Sequence, residues 1–237
     1  YNGIAVLVRK RDHILKIVDS FLRQGIPYAT DGKEDIGQEK RVGQLLDVLR
    51  LAHIDPIDTE SKDTALYKVL AADYFQIPQA DLLRFVNFSY GKRKTADGGE
   101  TFLAEFLSYF SSENDDLKLD APEKLRRAFG AIKRLLRDAY DTPVHTLLIN
   151  FIKDAGIYKY ILKEYSDSGI LRIRQLRGMG SFINMVKRSD LADPAIRLSE
   201  FLSEIETRKN HGIPVQGDLV TLTQEGVRVY TAHGSKG

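Results

Sequence analysis

The amino-acid sequence predicts a mainly helical protein with a short α/β segment at each end. Residues 4–8 form a continuous apolar run, which is typical of a buried parallel strand. From about residue 56 to residue 208, apolar side chains recur every three or four positions, as they do along the buried face of a helix. Residues 227–231 then alternate between apolar and polar side chains, which indicates a second strand.

The first part of the chain has the pattern of an α/β unit. A helical stripe covers residues 11–23. Gly25 and Pro27 end this helix, because glycine supplies the C-terminal turn and proline cannot continue it. The chain then returns to a short extended segment at residues 28–30. The spacing of valines and leucines predicts a second helix over residues 34–53.

The middle of the chain predicts a series of helices. The spacing of three and four is found in residues 64–72, 79–88, 101–110, 122–140, 143–155, 158–165, 170–187 and 194–208. Polar loops are expected at residues 91–99 and 111–116. Because the strands lie at the two ends, we interpret them as parts of one α/β domain that a helical insertion interrupts. The predicted division is into residues 1–55, 56–218 and 219–237.

Composition excludes several classes of protein. With 43% hydrophobic and 29% charged residues and nearly balanced charge, the sequence is not that of an intrinsically disordered chain. The absence of cysteine excludes disulfides, thiolate metal sites and cysteine nucleophiles, and is typical of a reducing compartment. The five histidines are scattered without ligand spacing, so we expect no metal site. Because no apolar run is long enough to cross a bilayer, we expect no membrane partner.

Basic residues concentrate in one segment of the chain. Residues 122–190 contain 14 lysines and arginines against 7 acidic residues, a local charge of +7. The remainder holds 21 against 26, or −5, from totals of 35 and 33. Such a segment can form a surface that binds a polyanion, because neutralised phosphates release counterions. Basic side chains that coat the outer faces of helices explain the same count, so both interpretations stay open.

The last strand leads into a group of polar side chains. Thr231, His233, Ser235 and Lys236 follow at its carboxyl end, where ligands of open α/β sheets bind. Hydroxyl and ammonium groups bind phosphate oxygens, and an imidazole can hydrogen-bond to a nucleic-acid base or stack on it. The two glycines of this stretch permit backbone N–H groups to approach a phosphate closely.

This stretch resembles motif V of superfamily 1 DNA helicases of the UvrD, PcrA and Rep type and of the AddA and RecB type. The family pattern is a strand followed by Thr-hydrophobic-His-x-(Ala/Ser)-Lys-Gly, and the chain matches it through Gly237. Ala232 stands where the family has a larger apolar residue. The resemblance implies that Thr231, His233 and Lys236 lie between the single-stranded DNA and the ATP cleft and couple one to the other. Ser235 is a further candidate DNA contact through its hydroxyl, and Gly237 is the candidate contact with the nucleotide cofactor.

The opening of the chain is similar to the stretch that begins the second RecA-like motor domain of the same family. There a strand ends in an arginine, a helix follows, and the chain returns through Gly-Ile-Pro-Tyr. Here the matching residues are 4–9 and 25–28. By this resemblance Arg9 reaches a DNA phosphate. Lys10 and Arg11 replace the Thr-Asn pair of UvrD-type proteins, so the contact made by that pair is not implied.

The family also inserts a helical subdomain, called 2B, between the halves of its second motor domain. Residues 66–83 and 175–183 resemble parts of that insertion, and the predicted helix over residues 198–208 is similar to its last helix. In this segment two groups of basic side chains are candidates for contacts with duplex DNA. They are Lys92, Arg93 and Lys94 in a predicted loop, and Arg126 and Arg134 on one face of the long predicted helix.

The implied fold is mainly α, a 2B-type helical insertion flanked by partial α/β segments of a RecA-like, P-loop NTPase motor domain. The implied activity is that of an ATP-dependent DNA helicase or translocase that moves 3′ to 5′ in DNA repair or recombination. The sequence has no P-loop, no Walker-B strand and no motif VI arginine. We therefore expect no catalytic residue, no cofactor and no ATP hydrolysis in this chain alone, with ATP and Mg²⁺ bound by the parent protein.

The chain starts at Tyr1 rather than at a methionine and stops at Gly237 directly after a Ser-Lys pair, so we expect a segment of a longer protein. The expected partners are single-stranded DNA, a duplex junction, the rest of the motor and, through the helical insertion, another protein. The expected location is the cytoplasm, in association with the nucleoid of a prokaryote.

Two other hypotheses fit parts of the sequence. The helical insertion can act mainly as a regulatory or protein-interaction module of the motor. Alternatively, the chain is an unrelated all-helical DNA-binding domain whose motif matches arise by chance. That last hypothesis predicts that the two terminal strands lie far apart, so the position of Val6 relative to Val229 separates it from the helicase interpretation.

Overall fold

Two strands from opposite ends of the chain lie side by side. In the computed structural model, β1 (Ala5–Val8) pairs in parallel with β5 (Val227–Thr231), and Val6 is the direct partner of Val229. A third strand, β2 (Tyr28–Thr30), pairs in parallel with the other edge of β5, so the order is β1-β5-β2. The prediction of a mainly helical chain with a small parallel sheet is confirmed, and the separation expected for an unrelated helical domain is not found.

The structure describes residues 1–30, 33–37, 39–53, 59–95, 101–112, 116–167, 169–192, 198–218 and 225–232. In this described part, β2, two further short strands and ten helices lie between the first and last strands. The further strands and the helices are α1 (Arg11–Gln24), β3 (Lys33–Asp35), α2 (Lys40–Ala52), α3 (Thr59–Leu70), α4 (Gln79–Thr95), α5 (Phe102–Ser111), α6 (Pro122–Asp138), α7 (Val144–Asp154), α8 (Ile157–Glu164), α9 (Gly169–Ala192), α10 (Leu198–Asn210) and β4 (Gln216–Asp218).

The parallel sheet has a small core of its own. α1 lays Ile14 and Val18 against Val8, Tyr28 and Val229, and all five side chains are buried. α1 ends at Gly25, which has a left-handed conformation with φ of 66°. The N–H groups of Gly25 and Ile26 donate to carbonyls of the last helical turn and so close a Schellman-type turn. This turn directs the chain into β2, as the Gly-Ile-Pro pattern predicts.

The helices enclose a second and larger core. Its centre is an aromatic cluster in which Phe85 of α4 contacts the rings of α5, with centroid distances of 5.5 to 5.7 Å. Aromatic pairs at such distances add to the burial of apolar surface. α2 joins this core through Val42, Leu45 and Leu49, and packs mainly against α3.

An antiparallel ribbon of β3 and β4 joins the two cores. Asp35 holds the helical end of the ribbon, because its Oδ1 accepts hydrogen bonds from the N–H groups of Gly37, at 3.0 Å, and Val215, at 3.1 Å. Ile36 and Val215 are buried in the larger core. The prediction of a helix over residues 34–53 is therefore wrong at its start. Residues 33–35 pair with a strand 180 residues away, and the helix begins only at Lys40.

The predicted polar loop at residues 91–99 is also partly wrong, because α4 continues as a helix to Thr95. Lys92 explains the extension. Its ammonium binds Glu105 of α5 at 2.7 Å and lies 4.5 Å from the centre of the Phe88 ring, one turn earlier on α4. These contacts attach the end of α4 to the helical core.

A buried cation lies at the start of α2. Arg41 is only 1% exposed, and its Nη1 donates to Asp73 at 2.8 Å and to Gln44 at 2.6 Å. Lys40 donates to the other oxygen of the Asp73 carboxylate at 2.8 Å. Asp73 begins the 3-10 turn that follows α3, so this network holds α2 against that turn.

The network is reflected in the pKa values of its members. Burial alone would raise the pKa of Asp73, but hydrogen bonds from Lys40 and then from Arg41 outweigh burial and lower it to about 2. The Arg41 guanidinium also lies over the rings of Tyr74 and Tyr160, at 5.8 and 5.5 Å. Burial raises the pKa of Tyr160 to about 12 and that of Tyr74 still further.

No helix in the described part of the chain is both long and apolar enough to cross a membrane.

We predict that Asp73→Asn lowers the free energy of unfolding by about 2 kcal/mol at pH 7, because it leaves the buried Arg41 without a counter-charge. The carboxylate has a lowered pKa in the folded state, so its stabilisation is complete above pH 4 and is lost as the pH falls through about 2. Urea unfolding at pH 7, 4 and 2.5 should show that the free energies of unfolding of the original chain and of the Asp73→Asn variant become more similar as the pH falls. Asp116→Asn, at an exposed position, is the control and should change little. A difference that does not depend on pH would contradict the assignment.

Candidate nucleic-acid interface

The carboxyl edge of the parallel sheet brings together residues from the two ends of the chain. Thr231 is the strand partner of Val8, and the N–H of Ala232 donates to the carbonyl of Val8 at 2.9 Å. Arg9 follows Val8 directly and is exposed. Two of the predicted DNA contacts, Arg9 and Thr231, therefore lie on adjacent strands at the same edge, although they are more than two hundred residues apart in sequence.

The first turn of α1 contributes to the same edge. The helix begins at Arg11, and its N-cap residue Lys10 is exposed and makes no capping hydrogen bond with its side chain. Helix N-termini carry a partial positive charge and present N–H groups that favour anions. The side-chain charges of Arg9 and Lys10 and the partial charge of the helix N-terminus are therefore all positive at this edge. Such an arrangement suits a phosphate.

Thr30 contributes to the sheet edge although the sequence analysis predicts no role for it. It is buried at the carboxyl end of β2, and its hydroxyl donates to the carbonyl of Val229 at 2.7 Å. This bond fastens β2 to the central strand just before Thr231. A threonine at the end of a short extended segment is the only sequence signal for it, and that signal is common to many strands.

The remaining residues of the predicted motif lie outside the described residues. These are His233, Ser235, Lys236 and Gly237. Their contacts stay predictions.

α6 carries the predicted basic face, but much of its charge is already paired. Arg126 and Arg134 are both exposed, as expected. Arg134 binds Asp154 of α7 at 2.9 Å, and Arg137 binds its neighbour Asp138 at 2.7 Å.

Arg127, on the same helix, serves the fold. Its Nη2 donates to the carbonyls of Tyr74 and Phe75, each at 2.9 Å, and so satisfies the end of the 3-10 turn. The count of basic residues in this segment therefore overstates the charge that a polyanion would meet on α6.

The group at residues 92–94 lies on a helix rather than in a loop. Lys92 is half exposed but is bound to Glu105, whose side chain is nearly buried. The helical backbone of α4 includes Arg93 and Lys94, whose side chains are outside the described part of the structure. Lys92 thus has a structural partner, and a DNA contact would have to compete with it.

α9 links the helical core to the sheet. Arg174 Nη2 binds Asp19 of α1 at 2.5 Å. Arg177, three residues later, is buried. This ion pair and the β3–β4 ribbon are therefore two separate connections between the helical part and the α/β part.

The comparisons with known proteins are negative: no family model matches the chain, and no curated protein matches it significantly. Within the described residues, no group of three or more histidine, aspartate or glutamate side chains could hold a metal ion. The chemistry that the carboxyl edge offers is the binding of anionic oxygens by a guanidinium, an ammonium, a hydroxyl and helix N–H groups.

We predict that Lys92→Met destabilises the fold by about 1 kcal/mol, because it leaves the nearly buried Glu105 carboxylate unpaired. The double variant Lys92→Met with Glu105→Gln should recover most of that loss, as a double-mutant cycle in urea would show. Both variants should bind a duplex–single-strand junction with the same affinity as the unsubstituted chain. A loss of DNA binding in both, with unchanged stability, would instead support Lys92 as a DNA contact.

Proposed function

We propose that the chain is part of a superfamily 1 DNA helicase of the UvrD or AddA type. In this proposal the α/β ends belong to the second RecA-like motor domain and the helices form its 2B-type insertion. The observation that supports it best is the parallel pairing of β1 with β5. That pairing puts the two stretches with motif resemblance on neighbouring strands of one sheet.

The sheet supports the proposal in a second way. Parallel sheets are normally covered on both faces, and here α1 covers only one. On the other face Leu7 of β1 is 59% exposed, and its strand partner Tyr230 is half-buried. In the proposal, the rest of the motor domain packs on this open face.

The proposed role of the chain is to bind DNA and to regulate the motor. Single-stranded DNA passes over the carboxyl edge of the sheet, where Arg9 binds a phosphate and the Thr231 hydroxyl donates to a neighbouring oxygen. The helical part contacts the duplex junction or changes the motor's activity by its orientation. The parent would be an ATP-dependent translocase in DNA repair or recombination, located with the nucleoid in the cytoplasm.

The residues present do not fit an ATP–Mg²⁺ site by themselves. The described part of the carboxyl edge offers cations, hydroxyls and N–H groups, and no metal-binding cluster lies among the described residues. The sequence also contains no phosphate-binding loop. ATP hydrolysis in this proposal therefore belongs to the rest of the parent protein.

A regulatory function of the helical part has its own support. Arg134 and Arg137 are neutralised by neighbouring carboxylates, and Arg127 is bound to carbonyls. These pairings weaken the case for α6 as the main duplex-binding surface, and they favour a role in contacts with other parts of the motor or with a partner protein.

The proposal predicts salt-dependent binding of the chain to a duplex with a single-stranded tail. Arg9→Ala should weaken binding and reduce the slope of log K against log salt by about 1, because one phosphate contact is lost. Arg23→Ala is the matched control, since Arg23 is exposed in the last turn of α1, at the end of the helix away from Arg9. Fluorescence anisotropy at several salt concentrations measures both.

Two results would count against the proposal. The absence of any salt-dependent affinity would remove the DNA-contact role. An equal loss in the Arg9 and Arg23 variants would show that binding reflects general charge rather than the carboxyl edge.

A further inference from the structure

α8 exposes an apolar stripe on the face that it turns away from the core. Its inner face buries Ile157 and Ile161. On the outer side Tyr158 is 45% exposed and Leu162 is 52% exposed. The two side chains are four residues apart, so they lie one above the other as a continuous ridge. α8 is therefore apolar on two sides, and one of these sides is left exposed by the residues that the structure describes.

A basic stripe runs beside this ridge. Lys159 and Lys163 are also four residues apart and exposed, and neither forms an ion pair with any residue that the structure describes. By contrast, Arg134 and Arg137 of α6 form ion pairs with neighbouring aspartates. Like charges one turn apart repel each other slightly, so an acidic partner would relieve a cost that the free helix carries.

The apolar ridge and the basic stripe together indicate which kind of molecule can bind this face of α8. A nucleic acid would use the lysines but would leave Leu162 against a charged backbone, since phosphates offer no apolar surface. A helix with an apolar ridge and a flanking row of carboxylates would cover the leucine and tyrosine and neutralise both lysines. Rows of side chains four apart are also the rows that interdigitate when two helices pack.

We propose that the outer face of α8, formed by Tyr158, Lys159, Leu162 and Lys163, docks an acidic amphipathic helix of a partner protein. The helix lies along α8, with its apolar ridge on Tyr158 and Leu162 and its carboxylates on the two lysines. The exposed face of a helix of only two turns provides a small interface, which fits a transient contact better than a permanent one. This inference goes beyond the proposed helicase function and does not depend on it.

The absence of cysteine makes the test direct, because a single introduced cysteine takes a label at one position. Leu162→Cys carries an environment-sensitive fluorophore, and Leu83→Cys, an exposed leucine of α4, is the matched control. The probe is a synthetic helical peptide of about 18 residues, since shorter helices are marginal in water. It has one leucine stripe flanked by glutamates. A peptide of the same composition in scrambled order is the second control.

We expect the ordered peptide to shift the emission of the label at position 162 and not that of the label at position 83. In the unlabelled chain, Lys159→Glu with Lys163→Glu should weaken peptide binding at least tenfold. The same variant should gain affinity for a peptide with lysines in place of the glutamates. Lys16→Glu with Lys68→Glu, two exposed lysines elsewhere, is the matched charge control. Thermal unfolding confirms that the variants are folded.

Several outcomes would overturn the proposal. Equal binding of the scrambled peptide would show that no helix is recognised. A response of the label at position 162 to phosphatidylserine vesicles, with none to the peptide, would assign the face to a membrane surface. Displacement of the peptide by duplex DNA, together with a matching loss of DNA binding in the Lys159 and Lys163 variant, would assign it to nucleic acid.

Discussion

The parallel pairing of β1 with β5 is the constraint on which the rest of this structure depends. It closes a loop of more than two hundred residues, a large entropic cost that only a specific and well-packed contact can offset. The small core of α1 and the three strands supplies that contact, and the Thr30 hydroxyl bonded to Val229 secures the third strand. Without this pairing Arg9 and Thr231 would share no surface.

Charge in this protein is used first for structure. Arg41 is buried between two tyrosine rings and a carboxylate, Arg127 satisfies backbone carbonyls, and Lys92 neutralises Glu105. Each of these side chains looks like a surface cation in the sequence. Among the described residues, exposed cations that lie together with other binding features are found at the carboxyl edge of the sheet and on the outer face of α8. The net charge of a segment is therefore a poor guide to a binding surface when some of its basic side chains have partners within the fold.

The features that could be predicted from sequence are those with a local pattern. The apolar run of β1, the alternation of β5 and the helical spacing between them each predict an element that the structure contains. Arg9 and Thr231 could be predicted to lie at one edge of the sheet, because the order of the two motifs suggested that their strands pair. The turn at Gly-Ile-Pro that ends α1 could also be predicted, because it depends on only a few neighbouring residues.

The features that could not be predicted depend on distant partners. Residues 33–35 have a helical pattern, but they pair with a strand near the other end of the chain, and Asp35 is held by Val215. The burial of Arg41 depends on Asp73 and on rings of two other elements. Tyr158 belongs to a segment with helical apolar spacing, yet it lies on the outer side of α8, because the inner side is filled by isoleucines.

We propose above that nucleic acid binds the carboxyl edge of the β1–β5 pair. Amide NMR spectra of the chain, recorded with increasing amounts of an oligothymidine, test it most directly, because they report each position separately. We expect the largest shift changes at Arg9, Lys10, Thr231 and Ala232, with little change around Arg126 and Arg134. Changes confined to α6, or no changes at the sheet edge when DNA is bound, would contradict it.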